Sequence, residues 1–254
     1  MFIDSTSNQI IKHTKKLLDR SGRKEHRQFV IEGRRLVADA VCLGADIEYI
    51  LVEQGVPSVE AVGIQLYEVS QKAFSALKTT VNSQGVMAVV NMAENGKFVP
   101  DDKASCFYLY LDGVSDPGNM GTIIRTADAF GVDGIVISQN CVDVYNPKVV
   151  RSTMASIFNI PIYFDDIRRT AVHKMKEAGI KIISGSLQTE CSVFDADLKG
   201  RCAVVIGNEA NGITEEIIGL SDELVKIPIL GKAESLNAAV AGAVMAYERM
   251  RQNI

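Results

Sequence analysis

The sequence predicts an α/β protein of two domains, a small αβ domain followed by a larger domain with a mainly parallel sheet. Short apolar, β-branched segments alternate with helical patterns, as expected when helices cover both faces of a parallel sheet. Ala203 to Ile206 is continuously apolar, which is typical of a strand buried on both faces. A polar, turn-rich run from Ala93 to Ser105 divides the chain. We therefore expect domains at residues 1–95 and 106–254, joined by a linker at 96–105.

The first domain is predicted to begin with a helix from Asn8 to Asp19, because its apolar residues fall on one side and its lysines on the other. A basic loop follows. Arg34 to Leu43 also has helical periodicity, and Ser70 to Leu77 is expected to be a helix or a loop. The expected strands of this domain are Gln28 to Glu32, Ile47 to Val52, Gln65 to Val69 and Gly85 to Val90.

The second domain is predicted to open with a strand from Phe107 to Leu111. A turn at residues 116–119 then leads into a helix that ends at Gly131. Further strands are expected at Ile135 to Ile137, Lys181 to Ile183, Ala203 to Ile206 and Leu224 to Ile227, and further helices at Pro147 to Phe158, Arg168 to Ala178 and from Ser235 to Tyr247. In open α/β sheets, ligands bind beyond the carboxyl ends of the strands, so the loops that follow these strands are the candidate site.

Composition is typical of a globular cytoplasmic protein. The chain has 254 residues, of which 47% are hydrophobic, enough for two packed cores. Its five cysteines form no C-x-x-C pair, which favours reduced thiols over a disulfide framework or a zinc site. The first residues lack the pattern of a signal peptide, and no apolar run is long enough to span a bilayer. We expect a cytoplasmic protein with no membrane partner.

Positive charge is concentrated at the amino terminus. Residues 1–35 carry nine Lys and Arg against four Asp and Glu, a net charge of +5, whereas the remainder of the chain has a net charge of −9. This asymmetry favours either a phosphate-contacting face or a solvated amphipathic helix. The basic residues are Lys12, Lys15, Lys16, Arg20, Arg23, Lys24, Arg27, Arg34 and Arg35.

Several common chemistries are excluded by their missing motifs. The chain has no G-x-G-x-x-G fingerprint, no phosphate-binding P-loop and no G-x-S-x-G nucleophile elbow. Its three histidines are far apart and form no metal-spaced cluster, so no metal is expected. The remaining polar residues at strand ends are Asn119, Arg125, Glu209, Ser235 and Asn237. Four of them have an ordinary structural alternative: a helix cap for Asn119 and Ser235, a first-turn charge for Glu209, and a solvated helix face for Arg125.

Three blocks of sequence contain these residues. They read D-G-V-S-D-P-G-N-M-G-T-I-I-R-T-A from Asp112, V-I-G-N-E-A-N-G-I from Val205, and I-P-I-L-G-K-A-E-S-L-N-A-A-V-A from Ile227. Together they resemble the three motifs of the SpoU-type RNA 2′-O-ribose methyltransferases of the SPOUT superfamily. R-x-F-V-I-E-G-x-R-L-V from Arg27 and Q-G-V-M-A-V from Gln84 resemble the substrate-binding domain that often precedes this catalytic domain.

The resemblance implies a catalytic domain tied in a trefoil knot, one of the rare exceptions to the rule against knotted chains. It also implies a small L30e-like substrate-binding domain, S-adenosylmethionine as cofactor, and a homodimer whose active sites draw on both subunits. By position, Gly207, Ile227 and Leu236 would bind the cofactor, and Asn119, Arg125, Glu209, Ser235 and Asn237 would surround the reacting ribose. Two departures are Ala210, where many members have Gly, and residues 151–156, which only approximate R-x-S-x-G-A.

Arg125 is the expected activator of the ribose 2′-oxygen. A guanidinium is not deprotonated under ordinary conditions, so we favour a role in which Arg125 grips the adjacent phosphate and stabilises developing negative charge. A role as the literal base stays open. Ribosomal RNA, possibly 23S, is the expected substrate, and transfer RNA is the second choice. The alternatives are a non-catalytic RNA-binding protein and a base methyltransferase of related fold.

Overall fold

The structure, a computed structural model, describes residues 1–94 and 96–254. By their internal contacts, the described residues form two compact units. Unit 1 comprises Met1–Glu94 and Asp143–Phe158, and unit 2 comprises residues 96–142 and 159–254. The polar run expected to hold the linker includes Asn95, which lies outside the described residues. The chain therefore passes between the units three times.

Unit 1 contains a five-stranded mixed sheet. Its strands are β1 (Phe2–Ile3), β2 (Gln28–Glu32), β3 (Ile47–Glu53), β4 (Gln65–Val69) and β5 (Val86–Asn91). The order across the sheet is β1-β4-β3-β5-β2, with β1 and β3 parallel to β4, and with β2 and β3 antiparallel to β5. The four expected strands are confirmed. The two-residue β1 was not predicted because it is too short to show a period.

Unit 2 contains a six-stranded sheet in which every pairing is parallel. Its strands are β6 (Cys106–Asp112), β7 (Gly134–Ile137), β8 (Ile162–Phe164), β9 (Lys181–Gly185), β10 (Arg201–Gly207) and β11 (Glu223–Val225). The order is β11-β9-β10-β6-β7-β8. The mainly parallel sheet predicted from the sequence is confirmed. Because Ile206 pairs with Leu111 and Gly207 pairs with Asp112, the carboxyl ends of β6 and β10 lie side by side.

Helices surround these sheets. They are α1 (Gln9–Lys16), α2 (Arg20–His26), α3 (Arg34–Cys42), α4 (Gln71–Ser75), α5 (Pro117–Ala129), α6 (Pro147–Thr153), α7 (Thr170–Glu177), α8 (Glu215–Leu220) and α9 (Ala238–Gln252). A 3₁₀ turn covers Ser156–Phe158. Among the described residues, no helix combines the length and the apolar character needed to cross a membrane. All five cysteines are free thiols.

The amino-terminal helix differs from the prediction, since α1 and α2 replace one helix and a basic loop. Gly22 explains the sharp connection, because a Cβ at this position would stand 2.1 Å from the carbonyl oxygen of Lys16. Arg23 donates to the carbonyl oxygens of Leu17 (2.9 Å) and Leu18 (2.7 Å). These bonds satisfy carbonyls that the end of α1 leaves without helical partners.

The assignment of Arg23 to a phosphate-contacting face is therefore wrong. Its side chain is 3% exposed and forms an ion pair of 2.7 Å with Asp143. The other eight basic residues of this set are exposed. The positive charge expected at the surface is thus smaller by one.

Residues 143–158 pack in unit 1 against β2. The ring of Phe29 lies 4.8 Å from that of Tyr145 and 6.2 Å from that of Phe158, measured between centroids. The predicted helix over residues 147–158 ends early because Met154 and Ala155 have φ angles of 51° and 74°. Left-handed backbone at residues other than glycine costs energy and is not expected from sequence.

Candidate functional site

The site begins with a tight loop at the carboxyl end of β10. The backbone N–H and carbonyl of Asn208 pair with those of Gly212 at 2.8 and 2.9 Å, and the Asn208 side chain accepts from the N–H groups of residues 210 and 211. A Cβ on Gly207 would lie 2.4 Å from the carbonyl carbon of Gly212. Gly207 is therefore required for the loop to fold back on the strand, and the loop places Glu209 at its tip.

The carboxylate of Glu209 is held by the segment that follows β6. Oε2 accepts from the N–H (3.1 Å) and the hydroxyl (2.8 Å) of Ser115, and Oε1 accepts from the N–H of Asp116 (3.1 Å) and from Nδ2 of Asn119 (2.9 Å). Burial opposes ionisation, but the hydrogen bonds from Asn119, Ser115 and Asp116 outweigh it and lower the pKa of Glu209 to about 2. The group is a carboxylate throughout the neutral range.

Asn119 connects Glu209 to the third segment. Its Oδ1 accepts from Nδ2 of Asn237 at 2.8 Å, while its Nδ2 donates to Glu209. Asn237 also caps α9, because its Oδ1 accepts from the N–H groups of Ala239 and Val240. The structure thus brings together three of the residues expected at the site, Asn119, Glu209 and Asn237.

Arg125 and Ser235 stand outside this hydrogen-bonded cluster. Arg125 lies on the exposed face of α5, and no hydrogen bond or ion pair joins it to any residue that the structure describes. Ser235 lies in the loop before α9 and is exposed. The alternative of Ser235 as a helix cap is wrong, because Asn237 supplies the cap and α9 begins at Ala238.

A cavity of 410 Å³ opens beside the cluster, formed by the loops after β9, β10 and β11. Gly207, Ile227 and Leu236, the three residues expected to bind a cofactor, all line it, as do Glu209 and Ser235. Its volume is in the range of small-molecule sites, and its walls combine apolar side chains with the backbone of three loops. These residues fit a nucleoside-containing ligand with a charged tail, such as S-adenosylmethionine.

Comparison with known proteins decides the family. Residues 106–247 match the SpoU rRNA Methylase family. The chain belongs to this family. Residues 8–88 of this SpoU methylase match the MRM3-like substrate binding domain. The expectation from sequence is confirmed: the protein is of the SpoU-type RNA 2′-O-ribose methyltransferase class, and S-adenosylmethionine is its cofactor.

Relatives match along the whole chain. The methylase is 37% identical over 250 residues to the 23S rRNA (guanosine(2553)-2′-O)-methyltransferase RlmP of Bacillus subtilis, which covers 96% of this chain and 97% of that protein. Among solved structures, the AdoMet-bound rRNA methyltransferase from Sinorhizobium meliloti is 31% identical, with a TM-score of 0.89 and coverage of 100% of this chain and 98% of that chain. The SpoU methyltransferase AviRb from Streptomyces viridochromogenes with AdoMet is 29% identical, with a TM-score of 0.84 and coverage of 97% and 99%.

Two alternatives considered for the site residues are wrong in this methylase. Asn119 is not a helix cap, because Asp116 caps α5 by accepting from the N–H of Asn119. Glu209 is not a first-turn charge, because α8 begins six residues later at Glu215. The cap at Asp116 leaves the Asn119 side chain available for Glu209 and Asn237.

Ser115 belongs to this hydrogen-bonded cluster, although the sequence motifs did not predict it. It supplies two of the hydrogen bonds to Glu209. The signal that could have found it is the sequence Ser115-Asp116-Pro117, since an N-cap followed by Pro at the first helical position fixes the start of α5. The residue before such a cap is held at the edge of the strand-end crevice.

A second polar network, centred on the buried Asp112 at the end of β6, holds the other end of the loop that carries Glu209. Oδ2 of the buried Asp112 accepts from the N–H (2.8 Å) and the hydroxyl (2.7 Å) of Thr214. Arg169, also buried, lies 3.5 Å from Asp112 and donates to Glu216 at 2.8 Å. This network fixes both the end of β6 and the start of α8, and so it limits where residues 208–214 can lie.

Proposed function

We propose that this methyltransferase modifies a ribose 2′-oxygen of 23S ribosomal RNA. One observation carries the proposal: the Asn119–Glu209–Asn237 cluster adjoins a cavity that the same loops form, so that a cofactor and an anchored polar platform meet at one edge of the sheet. The choice of RNA is supported by the 37% sequence identity to RlmP over 250 residues and by the match to the MRM3-like substrate binding domain. The eight exposed basic residues among residues 12–35 suit a phosphate backbone.

The cofactor would be held by Gly207, Ile227 and Leu236, largely through backbone groups of their loops. When bound, S-adenosylmethionine supplies a methyl group on a positively charged sulfur. Gly207 preserves the shape of this wall of the cavity, because any side chain there would displace the loop of residues 208–212. The apolar side chains of Ile227 and Leu236 would exclude water from the transfer.

Glu209 serves as a positioning group in this proposal. A carboxylate with a pKa of about 2 is a poor proton acceptor near neutral pH, where an effective general base has a pKa close to that of the solution. It instead accepts from the side-chain amide of Asn119 and so fixes that amide, whose oxygen accepts from Asn237. The exposed edges of these two amides would then orient the ribose hydroxyl, and Ser235 would border the same space.

Arg125 is proposed to act on the RNA phosphate next to the reacting ribose, with the literal-base role as the alternative mechanism. Its guanidinium is exposed and unpaired among the described residues, so it is available to a group from outside the chain.

We propose that a two-fold homodimer completes each active site and that the chain of unit 2 is knotted. We also place the enzyme in the cytoplasm, where its proposed substrate is made. A mass of one chain by light scattering for the active enzyme would contradict the dimer.

Mapping of methylated riboses tests the proposed function. RNA from cells with and without the gene should differ at one ribose of 23S ribosomal RNA, and purified enzyme with S-adenosylmethionine should restore the methyl group on unmodified transcript. Digestion to nucleosides should yield a 2′-O-methylnucleoside. A methylated base, or methylation confined to transfer RNA, would overturn the proposal. RNA binding without any methylated product would support the non-catalytic alternative.

A further inference from the structure

A second cavity, of 250 Å³, lies wholly within unit 1. Three segments surround it: the start of α3 with Gly33 and Arg35, the loop of residues 79–84 with Asn82 and Gln84, and the end of α6 with Arg151 and Met154. We refer to it as the unit 1 pocket. It shares no lining residue with the candidate cofactor cavity. Eight of its ten lining residues belong to the part of the chain that matches the MRM3-like substrate binding domain, a match that specifies no pocket.

The walls of the unit 1 pocket are fixed by hydrogen bonds. The nearly buried Glu32 accepts from the N–H and hydroxyl of Thr79 and from the hydroxyl of Thr80. Burial opposes its ionisation, but these hydrogen bonds outweigh it and lower the pKa of Glu32. Gln84 accepts from the N–H of Arg34 at 2.7 Å. The loop of residues 79–84 is therefore tied to the start of α3 before any ligand arrives.

Several donors in the unit 1 pocket are left without protein partners. Arg151 is half-buried and donates from Nη1 to Thr79 at 3.1 Å, yet it forms no ion pair within residues 1–94 and 96–254. The side-chain amide of Asn82 and Nε2 of Gln84 have no hydrogen bond within the described chain. Arg35 has only a loose pair with Asp39, at 3.8 Å. A planar cation and two amides thus face a space that is pre-shaped.

This combination matches the chemistry of a single nucleotide. Single-stranded RNA is recognised by bases that leave the stack, lie against arginine planes or apolar side chains, and form hydrogen bonds along their edges. Amides read base edges, and arginines contact phosphates. We propose that the unit 1 pocket receives one unstacked nucleotide of the substrate RNA, with Arg151 and Arg35 on its phosphate and Asn82 and Gln84 on its base. This inference rests on the proposed function, because it takes the ligand to be RNA.

Binding of in vitro transcribed, unmodified 23S RNA tests the pocket independently of catalysis. Asn82→Ala removes an exposed amide with no partner in unit 1, so the fold should be unaffected, and we expect the Kd for the RNA to rise roughly fivefold to tenfold at constant salt dependence. Arg151→Met should raise the Kd by about tenfold and make the slope of log K against log[salt] shallower by about 0.7, the value for one phosphate on single-stranded RNA. Lys72→Met is the matched control, since Lys72 is an exposed cation of unit 1 outside the pocket.

The readouts separate this inference from the proposed function. For both pocket variants, KM for the RNA should rise as Kd does, while kcat stays within about twofold and the affinity for S-adenosylmethionine is unchanged. If Asn82→Ala and Arg151→Met leave the Kd for the RNA and the circular dichroism spectrum unchanged, the proposed nucleotide site is wrong, even if the wild type methylates the transcript. Weakened binding by both variants supports the pocket even if no methylated ribose is found, in which case only the proposed function fails.

Discussion

The carboxylate of Glu209 accepts four hydrogen bonds of 2.8–3.1 Å, and these bonds favour a positioning role over a role as a proton acceptor. Both oxygens are already occupied by donors from the segment after β6. The folded pKa of about 2 lies below the ordinary value of 4.5, so the carboxylate stabilises the cluster at neutral pH. That contribution is lost only as the pH falls from 4.5 toward about 2.

Glu209→Gln should lower turnover by tenfold to about a hundredfold, because the new NH₂ group would face donors and shift Asn119. The pH–rate profile of the wild type, measured from about pH 5 to about pH 9, should show no ionisation of Glu209. An inflection in this range that the Glu209→Gln enzyme lacks would contradict the positioning role. Retention of S-adenosylmethionine binding by calorimetry is the control for folding.

Within the described part of the chain Arg125 is exposed and forms no hydrogen bond or ion pair, so its replacement should affect chemistry more than folding. We expect Arg125→Ala and Arg125→Lys each to lower single-turnover methylation by about 10² or more, since lysine keeps the charge but lacks the planar fork. Affinity for S-adenosylmethionine should change by less than about tenfold. Arg168→Lys is the control, as Arg168 is another exposed arginine of unit 2. Near-normal methylation by Arg125→Lys would show that the proposed role is wrong and that Arg125 is only a solvent-exposed residue of α5.

At this scale, sequence motifs located the cluster but not its hydrogen bonds. Asn119, Glu209 and Asn237 were predictable because each follows a strand of a parallel sheet, whose carboxyl ends meet at one edge. The role of Ser115 was not predicted, because the sequence Ser115-Asp116-Pro117 marks the start of α5 but does not show that Glu209, more than ninety residues later, accepts from Ser115. Arg23 was misassigned for a related reason: burial of an arginine depends on a distant carboxylate, here Asp143.

Among the elements, β6, α7 and α8 are joined by the buried Asp112–Arg169 pair. The Arg169 side chain is 9% exposed and that of Asp112 is 1% exposed, so each buried charge is compensated mainly by ion pairing and little by water. Removing one partner of such a pair leaves the other uncompensated. The resulting loss of stability should also affect the loop that carries Glu209, because Asp112 accepts two hydrogen bonds from Thr214 at the end of that loop.

Arg169→Met should destabilise the enzyme by about 3 kcal/mol and lower Tm by roughly 6–12 °C. Arg168→Met, at the neighbouring exposed position, should change stability by less than about 0.5 kcal/mol. Scanning calorimetry measures both. We also expect weaker binding of S-adenosylmethionine by Arg169→Met at a temperature where the protein is folded. Equal Tm values for the two variants would show that the pair does not support the loop.

The regular elements were predictable where they are long and buried. The alternation of strands with helices predicted a mainly parallel sheet, and the parallel pairing of β6 with β10 agrees with it. Short edge strands such as β8 have too few residues to show a period. The break at Met154 and Ala155 was not predictable, since no glycine marks the left-handed backbone.

For the whole molecule, the assignment of residues 143–158 to unit 1 changes what a cut between the units would do. A single nick in residues 96–105 breaks one of three chain crossings. The packing of Phe29 against Tyr145 and Phe158 remains, as does the pair of Arg23 with Asp143. The sequence could not reveal this arrangement, because the contacts join residues more than a hundred positions apart.

Limited proteolysis should cut first within residues 96–105 and give pieces of about 10 and about 17 kDa on a denaturing gel. In native size-exclusion chromatography, the two pieces should elute together. Arg23→Met, which removes the ion pair with Asp143, should release more of the smaller piece. Separate elution of the nicked wild type, or first cuts within residues 107–247, would contradict this organisation.

The late return of the chain to unit 1 also affects its synthesis. Residues 1–94 leave the ribosome first, but the aromatic surface around Phe29 stays uncovered until Phe158 has emerged. At about 5–20 residues per second, translation of the intervening stretch of roughly 60 residues takes about 3–12 s. During that interval the nascent chain displays an apolar patch that chaperones can bind. Slow codons that delay the emergence of residues 94–158 should therefore increase aggregation, whereas slow codons that are read after Phe158 has emerged should not.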